Sequence, residues 1–333
     1  MEWVKARAAE PRPTPLHASG ALPPAGEAFK EWSCGHTELE RRIASRYGVR
    51  REQVYLLGGT SLANFVTLAT LAGRGSRVAV ETPGYHALAE IPRGLGAKVV
   101  DLPRMPDGRL PKLPAADLLV LTSPHNPTGW TLRPADWRAI ERWVRAGRKR
   151  LVVVDEVYRD LQSRPGPVAA KRHPRFVTTG SLTKAYGLGA LRVGWALGAP
   201  KILAGLERVD NLISVQLSTP GILAALRAWP RLDALKRKAL KPVPQNLRML
   251  RASGLEFIEP DAGLTALVCV GDGDAVSRAA EKQGVLVIPG SLFGAREYVR
   301  VFLGAAPAVF RRGIEIISAA ARKRPARRRG ATS

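Results

Sequence analysis

Residues 151–158 have the sequence Leu-Val-Val-Val-Asp-Glu-Val-Tyr, in which four apolar residues precede two carboxylates and a phenol. A run that is apolar on both faces is typical of a strand buried on both sides, as in a parallel sheet. The segment therefore predicts an interior strand over 151–154 that carries Asp155 and, three residues later, Tyr158 beyond its carboxyl end. Taken alone, Asp155 could equally bind a metal ion or cap a helix.

Alternating strands and helices surround this segment. Hydrophobic runs before it predict strands at 54–57, 77–80, 98–102 and 117–121. Helical spacing or length predicts helices at 38–47, 61–71, 87–95 and 134–146. This alternation predicts an α/β fold with a mostly parallel central sheet and helices on both of its faces.

The pattern changes near residue 230. A long helix is predicted over 232–252, strands at 264–270, 285–288 and 298–302, and a closing helix over 307–321. These elements predict a smaller α+β domain. We therefore expect an amino-terminal arm at 1–36, a large domain at 37–230, a small domain at 231–321 and a disordered basic tail at 322–333.

The composition is that of an ordinary globular protein, with 45% hydrophobic and 24% charged residues among 333. The two cysteines, Cys34 and Cys269, stand far apart, and the first residues lack the apolar core of a signal peptide, so we expect a cytoplasmic protein. The longest uncharged apolar segment, 212–226, contains Pro220 and Gly221 and is not expected to span a membrane.

The formal net charge of +24 is the unusual feature of the composition. A strongly basic surface attracts nucleic acid or anionic lipid. No zinc finger, RNA-recognition signature or basic motif interleaved with aromatic residues accompanies the charge. We interpret it as a bias of the solvated surface plus the basic tail, and nucleic-acid binding stays open as the less favoured alternative.

Polar segments follow other predicted strands, where open α/β sheets bind their ligands. Gly58-Gly59-Thr60-Ser61 leads from a strand into a helix, and its hydroxyls and the helix amino terminus could hold a phosphate. A plain turn with an N-cap serine explains the same segment more simply. In residues 123–129, Ser-Pro-His-Asn-Pro-Thr-Gly, two prolines would hold Asn126 rigidly, although a connecting turn is the alternative.

The segment Thr179-Gly180-Ser181-Leu182-Thr183-Lys184 places a lysine among small residues at a strand end, and Arg192 lies in the glycine-rich segment after it. A desolvated lysine loses its proton more easily, so Lys184 is a candidate to form a Schiff base, and a surface lysine is the alternative. Ser181 and Lys184 also match the Ser-x-x-Lys motif of β-lactamases, but the Ser-Asp-Asn and Lys-Thr-Gly of that motif are missing.

Taken in order, these motifs resemble a fold type I pyridoxal-phosphate-dependent enzyme of the class I/II aminotransferase family. The resemblance covers about residues 35–304. It rests on the ordered set Asn-Pro-Thr-Gly, Asp-x-x-Tyr, Ser-x-x-Lys, a glycine-rich segment with arginine, and Tyr-x-Arg. It implies pyridoxal 5′-phosphate as cofactor, ping-pong transfer of an amino group from an L-amino acid to a 2-oxo acid, and a homodimer with the active site at the subunit interface.

The resemblance also implies a role for each matching residue. Lys184 would form the Schiff base and later transfer the proton at the substrate α-carbon, and Asp155 would pair with the protonated pyridine nitrogen. Four further positions resemble the phosphate site: Thr60, Ser61, Ser181 and Arg192. The positions that would contact the cofactor ring and its phenolic oxygen are Tyr85, Asn126 and Tyr158.

Substrate binding is implied for Arg300, in Glu297-Tyr298-Val299-Arg300, and for Asn126. A guanidinium group suits a planar α-carboxylate, although Arg300 could be one basic residue among many. The family's tyrosine that reaches across the dimer to the partner's phosphate has no counterpart at Lys30 or Glu31. A decarboxylase, a β-lyase or an oxidase of the same fold would use the same core residues, and a non-catalytic regulator is less favoured because Lys184 is retained.

Overall fold

The structure, a computed structural model, describes residues 35–214 and 217–322. The predicted arm, apart from its last two residues, and the tail beyond Arg322 lie outside these ranges, as do Cys34, Lys30 and Glu31. In the described ranges, no helix has the length and apolar character needed to cross a membrane.

Seven strands form the central sheet. They are β1 (Val54–Leu57), β2 (Arg77–Thr82), β3 (Lys98–Pro103), β4 (Leu118–Thr122), β5 (Leu151–Asp155), β6 (Phe176–Ser181) and β7 (Gly194–Leu197). Their order is β1-β7-β6-β5-β4-β2-β3. The strands from β6 to β3 pair in parallel, whereas β7 pairs antiparallel with both β6 and β1. The predicted mostly parallel sheet is confirmed, and β7, which the sequence did not reveal, is the strand that runs against the others.

Helices cover both faces of this sheet. They are α1 (His36–Tyr47), α2 (Thr60–Leu71), α3 (Ala87–Gly94), α4 (Pro134–Arg145), α5 (Ala169–Arg172), α6 (Thr183–Tyr186), α7 (Pro200–Asp210) and α8 (Thr219–Ala228). In β5, Val153 packs in the cluster that contains α2 and α7, while Val152 and Val154 pack against α4 on the other face. Each of these fully buried side chains stabilises the fold by about 1.5–3 kcal/mol, which explains why the strand is apolar throughout.

The carboxyl ends of the parallel strands meet at one edge of the sheet. Thr122, Asp155 and Thr179 are register neighbours on β4, β5 and β6. Because β7 runs in the opposite direction, it begins at this edge, where Gly194 faces Ser181. A Cβ atom on Gly194 would lie 2.6 Å from the carbonyl carbon of Gly59, so only glycine permits this approach of the β1 end. The edge therefore gathers the polar segments that follow the strands.

A second, antiparallel sheet follows along the chain. Its strands are β8 (Phe257–Ile258), β9 (Thr265–Cys269), β10 (Ile288–Pro289) and β11 (Tyr298–Phe302), in the order β10-β11-β9-β8. The helices of this region are α9 (Leu232–Leu240), α10 (Val243–Ala252), α11 (Gly273–Glu281) and α12 (Pro307–Arg322). Val299 and Val301 of β11 pack into a core with Leu250, Ile314 and Ile317, so the side chain between them, Arg300, belongs to the opposite face of the strand.

Two predicted elements differ from the structure by more than two residues, whereas the other predicted elements agree within two residues at each end. The single helix over 232–252 is wrong, because α9 ends at Leu240 and α10 begins at Val243; Pro242 and Pro244 lack the amide hydrogens that a continuous helix needs. The strand over 285–288 shrinks to Ile288–Pro289, since the Val285 amide donates to the Ala280 carbonyl and closes the turn after α11. The two sheets fall on either side of residue 230, where the domain boundary stays a prediction.

Candidate active site

A cavity of about 620 Å³ lies at the carboxyl edge of the central sheet and is closed on one side by residues of the second sheet region. The ten residues predicted for the site all line it: Thr60, Ser61, Tyr85, Asn126, Asp155, Tyr158, Ser181, Lys184, Arg192 and Arg300. The fold thus brings together side chains from almost the whole described chain.

Asp155 ends β5 at the floor of this cavity. Its Oδ2 accepts a hydrogen bond from Asn64 Nδ2 at 2.8 Å, and its Oδ1 accepts one from the Val157 amide at 3.0 Å. Asn64 is itself fixed, because its Oδ1 accepts from the Thr179 hydroxyl at 2.5 Å. Burial raises the pKa of Asp155 to about 6, and the hydrogen bonds from Asn64 and Val157 oppose this shift. The carboxylate is therefore held in one orientation in a place that favours a cationic neighbour.

Lys184 stands in the short helix α6 and is exposed towards the cavity. The protein packed around it lowers the pKa of its amine by desolvation, and the charges of Arg300 and Arg192 lower it further, while Asp155 opposes them. A lysine with a lowered pKa is neutral in a larger fraction of molecules, so its amine is more often available as a nucleophile or base than that of an ordinary surface lysine.

The amino terminus of α2 lines the cavity through Thr60 and Ser61. Gly59, with φ of 88°, precedes this helix, and Arg192 Nη2 donates to the Gly58 carbonyl at 2.9 Å. The Thr60 hydroxyl is buried without a hydrogen-bond partner among the described residues. Free amides at a helix start, an unpartnered hydroxyl and a guanidinium group together fit a phosphate.

Arg300 lines the same cavity from the second sheet region. Its Nη1 donates to Asn126 Oδ1 at 2.7 Å, and its guanidinium group lies 4.9 Å from the centre of the Phe293 ring. Tyr158 also lines this region, and burial raises its pKa to about 12 against the opposing charge of Arg300. The phenol therefore keeps its proton at neutral pH and can donate a hydrogen bond.

Residues 32–317 match the model of the family described as aminotransferase class I and II. The chain belongs to this family. Its members use pyridoxal 5′-phosphate, so the enzyme is an aminotransferase with that cofactor, as the resemblance implied.

Individual relatives agree with this aminotransferase assignment. A histidinol-phosphate aminotransferase of Symbiobacterium thermophilum is 30% identical, over 85% of this chain and 80% of its own length. An arginine–pyruvate transaminase of Pseudomonas aeruginosa is 28% identical, over 82% and 78%. A PLP-dependent aminotransferase from Streptococcus suis has the same fold, with a TM-score of 0.80 at 22% identity over 88% of this chain and 83% of that one.

Two residues of the aminotransferase site were missed in the sequence. Asn64 lies three residues after Ser61 on α2, so it shares a helix face with the predicted phosphate site, and it stands in an otherwise apolar run. That signal could have found it. Phe293 lies in the 3₁₀ helix Gly290–Phe293, and its contact with Arg300 has no sequence signal. The cavity is also lined by His86, Thr122, Val157, Thr183, Ser291 and Leu292.

The structure does not support the alternative interpretation that Asp155 binds a metal ion. Within residues 35–214 and 217–322, no group of three or more His, Cys, Asp or Glu side chains is arranged to hold a metal ion. Both carboxylate oxygens already accept hydrogen bonds from Asn64 and Val157. Asp155 also does not cap a regular helix, since its acceptor bond from Val157 closes only a local turn.

Proposed function

We propose that this aminotransferase holds pyridoxal 5′-phosphate covalently at Lys184 and transfers an amino group from an L-amino acid to a 2-oxo acid in a ping-pong sequence. The observation that carries the proposal is that Lys184 lines one cavity with the phosphate-type site at α2, with Arg300 and with the buried Asp155, and lies close enough for the charges of Arg300, Asp155 and Arg192 to shift its pKa. A cofactor and a carboxylate substrate fit this arrangement at the same time.

The residues around Lys184 would hold the cofactor at each of its polar groups. Thr60, Ser61, Ser181 and Arg192 would bind the phosphate, because hydroxyls and a guanidinium group face it from several sides. Asp155 would pair with the protonated pyridine nitrogen, which relieves the cost of burying that carboxylate. Tyr85 would stack on the ring. When bound, the cofactor withdraws electrons from the substrate α-carbon.

Asn126 and Tyr158 would share the phenolic oxygen of the cofactor. The Asn126 side-chain oxygen accepts from Arg300, so its amide group is the part that would donate to the cofactor. In this orientation Asn126 can donate to the cofactor and at the same time hold Arg300, which would bind the substrate. Both contacts are in line with the cofactor-binding and substrate-binding roles predicted for Asn126. Tyr158, held protonated by burial, would donate the second hydrogen bond.

Arg300 and Lys184 would act on the substrate itself. A guanidinium group has five N–H donors, and those of Arg300 other than the one that Asn126 accepts would hold the α-carboxylate. The free Lys184 amine would take the proton from the α-carbon, and its pKa, lowered by desolvation and by the charge of Arg300, favours the neutral form that this step needs.

The enzyme is further proposed to be a cytoplasmic homodimer with its active site at the subunit interface. Leu212 and Ile213 support the dimer, because they are 85% and 50% exposed, and large apolar side chains exposed side by side often mark a contact surface. The cytoplasmic location rests only on the sequence, namely on its two distant cysteines and on first residues that lack the apolar core of a signal peptide.

A spectral screen tests the proposed chemistry. The purified enzyme with bound cofactor would be mixed with each of the twenty amino acids, and with histidinol phosphate because a relative is named for it. We expect at least one donor to shift the absorbance from ~420 nm to ~330 nm, and a 2-oxo acid to reverse the shift.

Lys184→Ala should give no borohydride-stable adduct and lose about 10²-fold or more of the rate. A wild-type enzyme without an adduct at Lys184 would contradict the proposal.

A further inference from the structure

A buried cluster of charges and hydroxyls lies directly behind the active site, centred on Asp160, which is 8% exposed. Its Oδ2 accepts hydrogen bonds from the Tyr47 hydroxyl at 2.8 Å, from Arg46 Nε at 3.3 Å and from the Tyr186 hydroxyl. Its Oδ1 accepts from Arg159 Nη1 at 3.4 Å. One carboxylate thus joins α1, the 3₁₀ helix Arg159–Leu161 and α6.

The cluster borders the active site without entering it. A small void is lined by Tyr47 and Asp160 together with Val157 and Ser181, and the last two residues also line the active-site cavity. Asp160, Tyr47 and Tyr186 do not line that cavity. The cluster can therefore act on the chemistry only through the segments that it holds.

Those segments are the ones that carry two of the proposed catalytic groups. Asp160 follows Tyr158 by two residues, and Tyr186 follows Lys184 by two residues. The 3₁₀ helix after Tyr158 has three residues and α6 has four, so each closes few hydrogen bonds of its own. The relative position of the two segments must then depend on contacts between them, and the Tyr186–Asp160 hydrogen bond is such a contact.

Surrounding groups keep the cluster in one arrangement. The Arg46 guanidinium group lies 5.5 Å from the centre of the Tyr186 ring, and the Arg159 guanidinium group lies 5.6 Å from that of Tyr47. Although burial opposes it, the tyrosine hydrogen bonds and the two arginines hold the pKa of Asp160 below its usual range. Burial and the Asp160 charge raise the pKa of both tyrosines, so both remain hydrogen-bond donors.

We propose that Asp160 is a positioning residue that sets the distance between the Lys184 amine and the Tyr158 hydroxyl, by holding α6 against the 3₁₀ helix that begins directly after Tyr158. The inference rests on the roles proposed above for Lys184 and Tyr158. Asp160 touches neither substrate nor cofactor, so its effect must show in the properties of Lys184 and in turnover more than in substrate affinity.

Two matched substitutions test this role. Tyr186→Phe and Tyr47→Phe each remove one hydroxyl that donates to the same oxygen of Asp160, but only Tyr186 lies on the helix of Lys184. Three properties would be compared: kcat and KM, the pH titration of the ~420 nm absorbance of the holoenzyme, and the pH dependence of Lys184 acetylation in the full chain without cofactor, followed by mass spectrometry. Thermal unfolding midpoints would be measured alongside.

We expect Tyr186→Phe to shift both Lys184 titrations and to lower kcat about threefold to tenfold, with KM almost unchanged. Tyr47→Phe should leave both titrations at their wild-type positions even though it also lowers the unfolding midpoint. Asp160→Asn should repeat the Tyr186→Phe effects more strongly, by about 10- to 100-fold in kcat. Asp233→Asn is its control, since Asp233 is an exposed acceptor for the same Arg46.

Equal titration shifts in the two tyrosine variants, or no shift in Tyr186→Phe, would overturn the inference and leave Asp160 a purely structural residue. Failure of the proposed function is seen separately, because it would appear in the wild-type enzyme as the lack of a borohydride-stable adduct at Lys184. The acetylation comparison needs no cofactor and would still decide whether Asp160 positions the amine.

Discussion

At the scale of single residues, the Asp155 carboxylate predicts how the stability of the cofactor-free protein depends on pH. Burial raises its pKa from 3.8 to about 6 in the folded state. Between these values the unfolded chain has lost the proton and the folded chain retains it, so the free energy of unfolding falls as the pH rises from about 4 to about 6. At about 1.4 kcal/mol for each pKa unit, the loss is on the order of 3 kcal/mol.

Asp155→Asn should remove this dependence. Unfolding by urea would be followed at several pH values for both proteins, and the difference between their free energies of unfolding should change across that window. The remaining slope would come from other groups such as Glu156, whose pKa burial raises to about 7. Parallel curves for the two proteins would contradict the assignment. Added cofactor should flatten the wild-type curve, because a cationic pyridine nitrogen favours the charged carboxylate.

Gly59 gives a second prediction at this scale. Its φ of 88° is strained for any other residue, and a Cβ atom there would lie 2.6 Å from Arg192 Nη2. We expect Gly59→Ala to cost about 1–3 kcal/mol of stability and to weaken retention of the cofactor on a desalting column, since Arg192 must move away. Gly73→Ala is the control, because open space surrounds Gly73 and its φ is ordinary. Equal cofactor retention in the two variants would show that Arg192 is not displaced.

Prediction from sequence reached several residues of the cavity because their polar segments followed predicted strands, whereas Tyr85 and Arg300 came from the family resemblance alone. The carboxyl ends of parallel strands must meet, so Asn126, Asp155 and Lys184 could be placed at one edge without coordinates. The contacts between these side chains could not be predicted from the sequence. The hydrogen bond from Arg300 to the Asn126 side-chain oxygen depends on how the second sheet packs against the first. The local sequence around either residue does not predict that packing.

At the scale of secondary-structure elements, α10 is tied to the end of β11 by one buried side chain. Asn246 Nδ2 donates to the Leu303 carbonyl at 2.8 Å and to the Ala305 carbonyl at 2.7 Å. Asn246→Ala leaves both carbonyls without this donor, and we expect the free energy of unfolding to fall by about 2–3 kcal/mol in urea titrations. Gln245→Ala, on an exposed position of the same helix, should change it by less than about 0.5 kcal/mol. A small effect at Asn246 would mean that water replaces the lost donor.

Helices and strands were predictable where one face or both faces were apolar. They were less predictable where glycine or proline residues determined where an element begins or ends. The strand over 298–302 was predicted with its observed bounds. The strand β7, Gly194–Leu197, was missed because it begins inside the glycine-rich segment, and glycine is depleted in strands. Pro242 and Pro244 cause the break between α9 and α10. Their missing amide hydrogens outweigh the helical spacing of the apolar residues around them.

At the scale of the whole molecule, the proposed dimer predicts a particle of twice the chain mass in light scattering at micromolar concentration. Leu212→Asp would bury a charge in the contact, so we expect the dimer to dissociate at protein concentrations where the wild type stays intact. Leu286→Asp is a control on another exposed apolar position, at 81% exposure. A monomeric wild type would contradict the proposed dimer, and equal dissociation of both variants would contradict the placement of the contact at Leu212.

The unpartnered Thr60 hydroxyl has a consequence beyond catalysis. It has no hydrogen-bond partner among the described residues and lies in a cavity that Lys184, Arg192 and Arg300 also line, so a bound phosphate would satisfy a buried hydroxyl and reduce the repulsion between these basic side chains. A ligand at 100 times its Kd adds about 2.7 kcal/mol to the stability of the state that binds it. In a cell short of vitamin B6, newly made chains would then be cleared sooner by proteases, and diet or medium would govern how much of this protein persists.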